Sequence, residues 1–383
     1  MTRIALFPDS SSARTRSRVP SAMTDITTPG LTRAGMRPSV RALRFAARPV
    51  SVVAMLCLAS GAYAQSSVTL SGTVDGGIRY LTNGNTTGGN VVTMNSNGYY
   101  SSNKIDFIGR EDLGGGWNAH FTLENGFNLS NGAYDNTTGI EFNRQAFVGL
   151  GNNQWGSIDL GRQYTIAHDI ISYYDPFHFH FTPLIPLTTA ADGTRFNNDA
   201  KYKGRFGPML VEADNSFGGV AGSFSSGAAR GLGLSYSQGP VSAGGLVEHR
   251  TVLVGTSYQS DDYYMAGTKF KFGKFEVTGG YMAESQANPT TTHTVTRNAF
   301  GGASYHFTNA LSFTAGYYQT NVSNDRASSR ALSIASLAYQ LSRRTTVYAE
   351  GDYTRFKHSV VSTLNTSGKK SQIGATVGID HMF

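Results

Sequence analysis

Residues 371–383 read SQIGATVGIDHMF, and their alternation decides the fold. Ile373, Ala375, Val377, Ile379 and Phe383 share one parity, and Gln372, Gly374, Thr376 and Asp380 share the other. That is the two-residue period of a β-strand with one apolar and one wet face. The last residue, Phe383, sits on the apolar parity with no following residue to cover it. Something outside its own hairpin must therefore face it.

Composition argues against a packed apolar core. Forty-five Gly in 383 residues, 39% hydrophobic content, 20 Tyr and 22 Phe describe many turns and aromatic strands and few long apolar blocks. Apolar residues seldom recur at spacings of three and four, so an all-β chain is expected.

The N-terminal region is read separately. Arg41, Arg44 and Arg48 precede VSVVAMLCLASG, and AYA ending at Ala64 has the small-x-small pattern of signal-peptide cleavage. The expectation is a leader over 1–64 and a single domain over 65–383. Met36 opens a leader of ordinary length, which suggests that residues 1–35 reflect a misplaced start; precursor peptides upstream of Met36 would count against this. A membrane anchor fits poorly, because the apolar run is roughly thirteen residues where a helical span needs about twenty. A lipid anchor on Cys57 fits no better, since Leu56 stands where a small residue is wanted. Nine of the 32 basic and two of the 25 acidic residues lie in this leader, leaving 23 of each. The basic pI belongs to the leader, so it supports no nucleic-acid role. Cleavage also removes Cys57, the sole cysteine. Disulfides and thiolate metal sites are then excluded.

Beyond residue 65, tight turns alternate with long polar loops. The tight ones follow Leu113 and Leu150 and recur at Gly207, Gln238, Gly273, Thr308 and Ser342. The longest loop covers about thirty residues after Thr165, and a further loop is expected between Glu248 and Asp262. Seven short and eight long connections join sixteen strands with both ends on the short-turn side. Val68, Leu70, Val74 and Ile78 oppose Thr69, Ser71, Thr73, Asp75 and Arg79; Trp117, Ala119, Phe121 and Leu123 oppose Asn118, His120, Thr122 and Glu124. This is the pattern of an outer-membrane barrel, with apolar faces toward lipid and polar faces toward water. No segment has the length of a transmembrane helix, so only a closed barrel can span with its backbone satisfied. The final strand then closes on SVTLSGTVDGGIRY, and Phe383 stands at the membrane interface on the short-turn rim.

The stretches SVTLSGTVDGGI, KIDFIGREDLGGGWNAHFTLENGF, FNRQAFVGL, GSIDLGRQYT, RFNNDAKY and VGIDHMF resemble the general porins of Gram-negative bacteria, particularly the β-proteobacterial type. The likeness is dense over 67–202 and in the last strands; the middle matches by pattern. It implies a transmembrane 16-stranded antiparallel β-barrel with short periplasmic turns, long extracellular loops and an inward-folded third loop. It also implies a homotrimer in the outer membrane, in contact with lipid and lipopolysaccharide, and Phe383 as a signal for the outer-membrane insertion machinery. On this resemblance the inward loop spans about 166–197 and carries Asp169, Asp175 and Asp192 opposite a basic wall of Lys104, Arg144 and Arg195. By strand parity Arg79, inward like Asp75, is a further candidate near its strand end. Lys104 stands where Arg is common, a more flexible cation. Acids facing bases across water would set a transverse field and an ion preference. Arg162 shares the outward parity of Ile158 and Leu160, so it is expected at the trimer contact, paired with Glu124 or with a second-loop acid from a neighbouring subunit.

DPFHFHFTPLIPL departs from the family's small-residue loop. Its His178 and His180 raise a metal site or a pH gate, but neither has a third ligand in sequence, and the plainer expectation is that Phe177, Phe179, Phe181 and Leu184 pack the loop on the wall. Enzyme motifs are missing: there is no G-x-S-x-G, H-E-x-x-H or phosphate loop. The Gly-rich runs read as turns and barrel bends. The expected function is passive diffusion of ions and small hydrophilic solutes, with a lean toward anions and no cofactor. A substrate-selective channel and a receptor or adhesin surface are the alternatives.

Overall fold

A computed structural model describes residues 66–383, apart from 95, 137, 188–194, 290–291 and 324–328. The leader, with Met36, Cys57 and Ala64, and the loop acid Asp192 lie outside the described residues.

One antiparallel sheet contains β1 (Ser66–Leu81), β2 (Val91–Met94), β3 (Lys104–Gly114), β4 (Trp117–Gly126), β5 (Gln145–Asn152), β6 (Gly156–Tyr164), β7 (Arg195–Phe206), β8 (Met209–Ser216) and β9 (Ala229–Gln238). It continues through β10 (Val241–Val254), β11 (Ser257–Phe272), β12 (Phe275–Gln286), β13 (Thr294–His306), β14 (Leu311–Val322), β15 (Ser329–Gln340), β16 (Thr345–Phe356) and β17 (Ser371–Met382). The short β2 lies on β1 inside the first long loop. The other sixteen strands form the barrel. β1 bonds β3 along one edge from Ser66 to Thr73 and closes on β17 along the other, from Thr73↔Met382 to Leu81↔Gly374. Closure leaves no barrel edge unpaired, which lipid surroundings demand.

Parity is as the sequence predicts. Along β17, Ile373, Val377 and Ile379 are exposed while Thr376 and Asp380 are buried. Exposed aromatics form two belts on the outside. Phe270, Phe275, Phe313 and Tyr339 lie toward the short turns, and Tyr264, Tyr281, Tyr317 and Tyr353 lie toward the long loops. Phe383 completes the closing ladder: its N–H donates to the Gly72 carbonyl (3.1 Å), and the Gly72 N–H returns the bond (3.3 Å). Its ring covers the outer face of Gly72, where a Cβ would come within 2.5 Å of Cζ. The uncovered terminal aromatic thus has a partner in the first strand.

The seven short turns are present, with two to four residues each. The expected loop between Glu248 and Asp262 is not. β10 and β11 stay paired to Val254↔Ser257, and the connection is two residues, Gly255 at φ +64° and Thr256. Polar residues in HRTVLVGTSYQSDD look like a loop, but their alternation continues into a hairpin that runs past the ends of β9 and β12. The chain is nearly all strand, as expected, with one short helix added among the described residues. The third loop opens with α1 (Ile166–Tyr174), whose N-cap Thr165 Oγ1 accepts the His168 N–H (3.1 Å). No helix among the described residues is long and apolar enough to cross a membrane.

Candidate pore constriction

The third loop enters the barrel and packs on its inner wall. Ile166, Ala167, Ile170, Ile171 and Tyr174 on α1, and Phe177, Phe181, Leu184, Ile185 and Leu187 beyond it, are buried; Phe179 is partly buried. The expected aromatic packing is therefore present. The wall makes room by removing side chains where the loop comes closest. A Cβ on Gly233 would collide with Ile166 and Ile170, one on Gly267 would stand 2.8 Å from Tyr174, and Gly302 and Gly316 receive Pro176 and Phe177 in the same way. These strand glycines form a track for the loop and are not only bends, a role visible once the loop's path is known.

Asp175 organises the segment after α1. It is fully buried. Its Oδ2 accepts the N–H groups of Phe177 (3.1 Å) and Phe179 (2.9 Å), and its Oδ1 accepts the Tyr318 hydroxyl (2.5 Å). Those bonds hold a backbone in which His178, Phe179 and Phe181 have φ of +50°, +61° and +60°. Such values are strained for residues with a Cβ and need surrounding contacts to persist. Burial pushes the Asp175 carboxyl up to about 6 despite these bonds. Asp175 is thus a loop anchor, not the lumen acid expected. Arg330 adds a second anchor through the Leu184 carbonyl (2.7 Å).

Asp169 also does not face the expected bases. It bonds Lys201 (2.5 Å) and lies 3.7 Å from Lys203, both on β7. Burial opposes its ionisation, but Lys201, His168 and Lys203 together hold its carboxyl well below the usual range. Asp169 is thus spent on docking the loop, because β7 brings two lysines beneath α1.

Lys104, Arg144 and Arg195 do come together, around two groups that sequence reasoning had not placed there, Glu124 and Tyr164. Glu124 accepts from Arg144 Nε (2.6 Å), Lys104 Nζ (3.2 Å), Gln145 Nε2 (2.9 Å) and the Tyr164 hydroxyl (2.9 Å). That same hydroxyl oxygen accepts from Arg144 (3.0 Å) and Arg195 (3.1 Å), and the Arg195 guanidinium lies 4.6 Å over the Tyr164 ring. Lys104 also meets Asp106 (3.3 Å), and Arg144 meets Asp135 (3.3 Å). The inward parity of Glu124 was the available signal; the phenol of Tyr164 carried none. Arg195 differs from its neighbours: among the described residues its side chain meets no carboxylate.

Arg79 is elsewhere. It is buried and bonded to Glu350 (3.1 Å) and Asp352 (2.6 Å) on β16, which neutralises it and ties β1 to β16 across β17. Arg162 does not pair with Glu124, which is filled by the lumen cluster. Its Nε donates to the Asn143 carbonyl (2.7 Å) and its Nη1 to Asn197 Oδ1 (2.5 Å), at the irregularity where β6 leaves register with β7. The two loop histidines go to separate partners. His180 stacks on Tyr100 at 3.9 Å, and burial pulls its pKa down to about 4; His178 bonds Glu276 (2.8 Å). Among the described residues no three His, Cys, Asp or Glu are placed to hold a metal ion.

The sequence matches the Gram-negative porin family over residues 51–359. Outer membrane porin protein 32 of Delftia acidovorans is 28% identical over 356 residues, covering 86% of this chain and 98% of that protein. An outer membrane porin protein of Bordetella pertussis is 36% identical over 160 residues, 38% of this chain and 41% of that one. Among solved structures, the anion-selective porin from Comamonas acidovorans has a TM-score of 0.73 at 25% identity, over 83% of this chain and 100% of that one. OmpT of Vibrio cholerae, at 15% identity and a TM-score of 0.59 over 83% of this chain and 98% of that one, shares the fold. With the family match spanning most of the chain and the barrel closing as described, the chain belongs to the Gram-negative porin family of the outer membrane.

Proposed function

We propose that this porin conducts small hydrophilic solutes passively with a preference for anions, set where the third loop faces the wall of Lys104, Arg144 and Arg195. The carrying observation is Arg195, whose guanidinium is held by a neutral phenol and stacked on its ring, so its charge is not cancelled by a described carboxylate. Of the other two wall cations Lys104 is the more exposed, at about a third, beside Glu124 and Asp106. The buried acids Asp214 and Glu248 belong to β8 and β10, strands against which α1 packs. The similar Comamonas protein is described as anion-selective. The same reading takes the chain to be exported with cleavage after Ala64 and assembled as a homotrimer, with Arg162 near the subunit contact.

The test is single-channel recording in a planar bilayer under a KCl gradient. Wild type is expected to reverse on the anion side and to conduct in three equal steps, and Arg195→Gln to move the reversal toward cations. A wild type that prefers cations, or an Arg195→Gln protein with an unchanged reversal potential, would sink the selectivity reading. A folded but non-conducting wild type would redirect attention to the loops as a receptor surface.

A further inference from the structure

The outer face of β14–β16 carries a groove with two cations at its long-loop end. Strand register places Tyr317, Ser333 and Tyr353 in one row across the three strands. The row nearer the short turns is Ala315, Ala335 and Gly351, and the row nearer the long loops is Gln319, Ala331 and Arg355. Two exposed tyrosines of the long-loop aromatic belt therefore stand as walls on either side of a floor of small residues. The space between them is a groove of ≈450 Å³, and its long-loop end is lined by Arg355 and Lys357.

Those two cations have no partner among the described residues. Arg355 and Lys357 are exposed, and neither side chain makes a hydrogen bond or ion pair. They follow at i and i+2 along one strand direction, because the Lys357 N–H still bonds the Ser329 carbonyl (3.1 Å) just past the end of β16. Both side chains therefore rise from the same face. The acids of these strands, Glu350 and Asp352 on β16, are buried on the lumen side, as is Asp380 on the adjoining β17. The adjoining loop 357–370 contains Lys357, His358, Lys369 and Lys370 and no acid. On another part of this rim Asp262 bonds His249 (2.7 Å), whereas the row of Arg355 holds Gln319 and Ala331 beside it.

A cation just above the aromatic belt sits at the depth of lipid headgroups in the extracellular leaflet. A trough of Ala, Ser and Gly directly beneath it sits at the depth of acyl chains. We propose that this groove binds a phosphate-bearing lipid of the outer leaflet, with Arg355 and Lys357 on a headgroup phosphate and one acyl chain lying over Ser333, Ala335 and Gly351 between Tyr317 and Tyr353. Arginine and lysine divide the work as their chemistry suggests: the planar guanidinium gives paired N–H donors to phosphate oxygens, and the ammonium adds a movable charge.

The experiment is native mass spectrometry of the full purified protein in detergent, titrated with bis-phosphorylated lipid A and, separately, with the same lipid after removal of its phosphates. Two surface cations near an anionic lipid correspond to about 30-fold in affinity. Arg355→Gln/Lys357→Gln is thus expected to bind the phosphorylated lipid about 30-fold more weakly than wild type. The dephosphorylated lipid should bind wild type as weakly as the phosphorylated one binds the variant. Ser333→Trp, which keeps both cations and fills the trough, should weaken binding of either lipid. Unchanged single-channel conductance in all variants would show that they fold, since none of these side chains points into the lumen. Equal lipid binding by wild type and the charge variant overturns the proposal. So does displacement of the lipid by inorganic phosphate alone, which would make this a plain anion site. Loss of oligomer in the variants also overturns it, assigning the groove to a subunit contact.

Discussion

Replacing Asp175 tests whether one carboxylate holds the third loop in the barrel. Asp175→Ala leaves two N–H groups and the Tyr318 hydroxyl without the acceptor they share. Each buried polar group left unpaired costs about 1–3 kcal/mol. Three such groups, at the low end of that range, weaken docking by about 3 kcal/mol, or roughly 100-fold in the opening equilibrium. The positive φ values at His178, Phe179 and Phe181 add to the tendency to relax once the bonds are gone. Asp175→Asn behaves differently, because its oxygen still accepts both N–H groups and its amide can donate to Tyr318. It should cost less than about 1 kcal/mol. Hydrogen exchange followed by mass spectrometry over 166–187 reads the opening directly. The alanine variant is expected to exchange far faster there, with the strands unchanged, and the asparagine variant to stay near wild type. If alanine exchanges like wild type, Asp175 is not the anchor. If asparagine exchanges like alanine, the negative charge matters and the hydrogen-bond account is wrong.

Acidification should tighten the same loop. The Asp175 carboxyl is raised to about 6 in the folded protein, so its stabilising contribution is fully present below about pH 4 and is lost as pH rises through about 6. About two pK units correspond to about 3 kcal/mol at most, and loop exchange or current noise that grew on acidification would contradict the sign. Gly233→Val forces a side chain into Ile166 and Ile170; overpacking of about 1–3 kcal/mol should loosen α1 and raise both conductance and current noise, measured in the planar bilayer. Tyr164→Phe removes the oxygen shared by Arg144, Arg195 and Glu124, and a stability loss of about 1 kcal/mol with noisier current is expected; a quiet channel with unchanged unfolding would remove Tyr164 from the constriction. Phe383→Ala should lower the temperature at which the barrel unfolds in a gel heat-shift assay by the equivalent of about 1–2 kcal/mol, since the ring that covers Gly72 is lost.

Much of the barrel could be read without coordinates, because a strand between lipid and water repeats every two residues and a tight turn declares itself by Gly, Pro and Asn. SQIGATVGIDHMF and SVTLSGTVDGGIRY carry that signal plainly, and each finds the other in the closed sheet. HRTVLVGTSYQSDD carries it weakly: polar outward residues beyond the membrane look like loop, so the β10–β11 hairpin was missed. The cations Lys104, Arg144 and Arg195 were legible as a group through the resemblance. Their partners were not, since Glu124 reaches Arg144 from twenty positions away and Tyr164 has no charge to announce it.

What the sequence determines by itself is whatever depends on neighbours in the chain: strand parity, turn positions, the aromatic terminus and the lack of a conventional core. The tertiary structure alone decides what depends on where a loop goes after it leaves the wall. Asp169 and Asp175 look like pore acids in sequence, but the path of the third loop takes one to Lys201 and the other to Tyr318. Gly233, Gly267, Gly302 and Gly316 look like flexible points, yet each lies on a different strand and acquires its role only when closure aligns them under that loop. Side-chain pairing across a barrel is set by shear and loop path, and neither leaves a local mark in the order of residues.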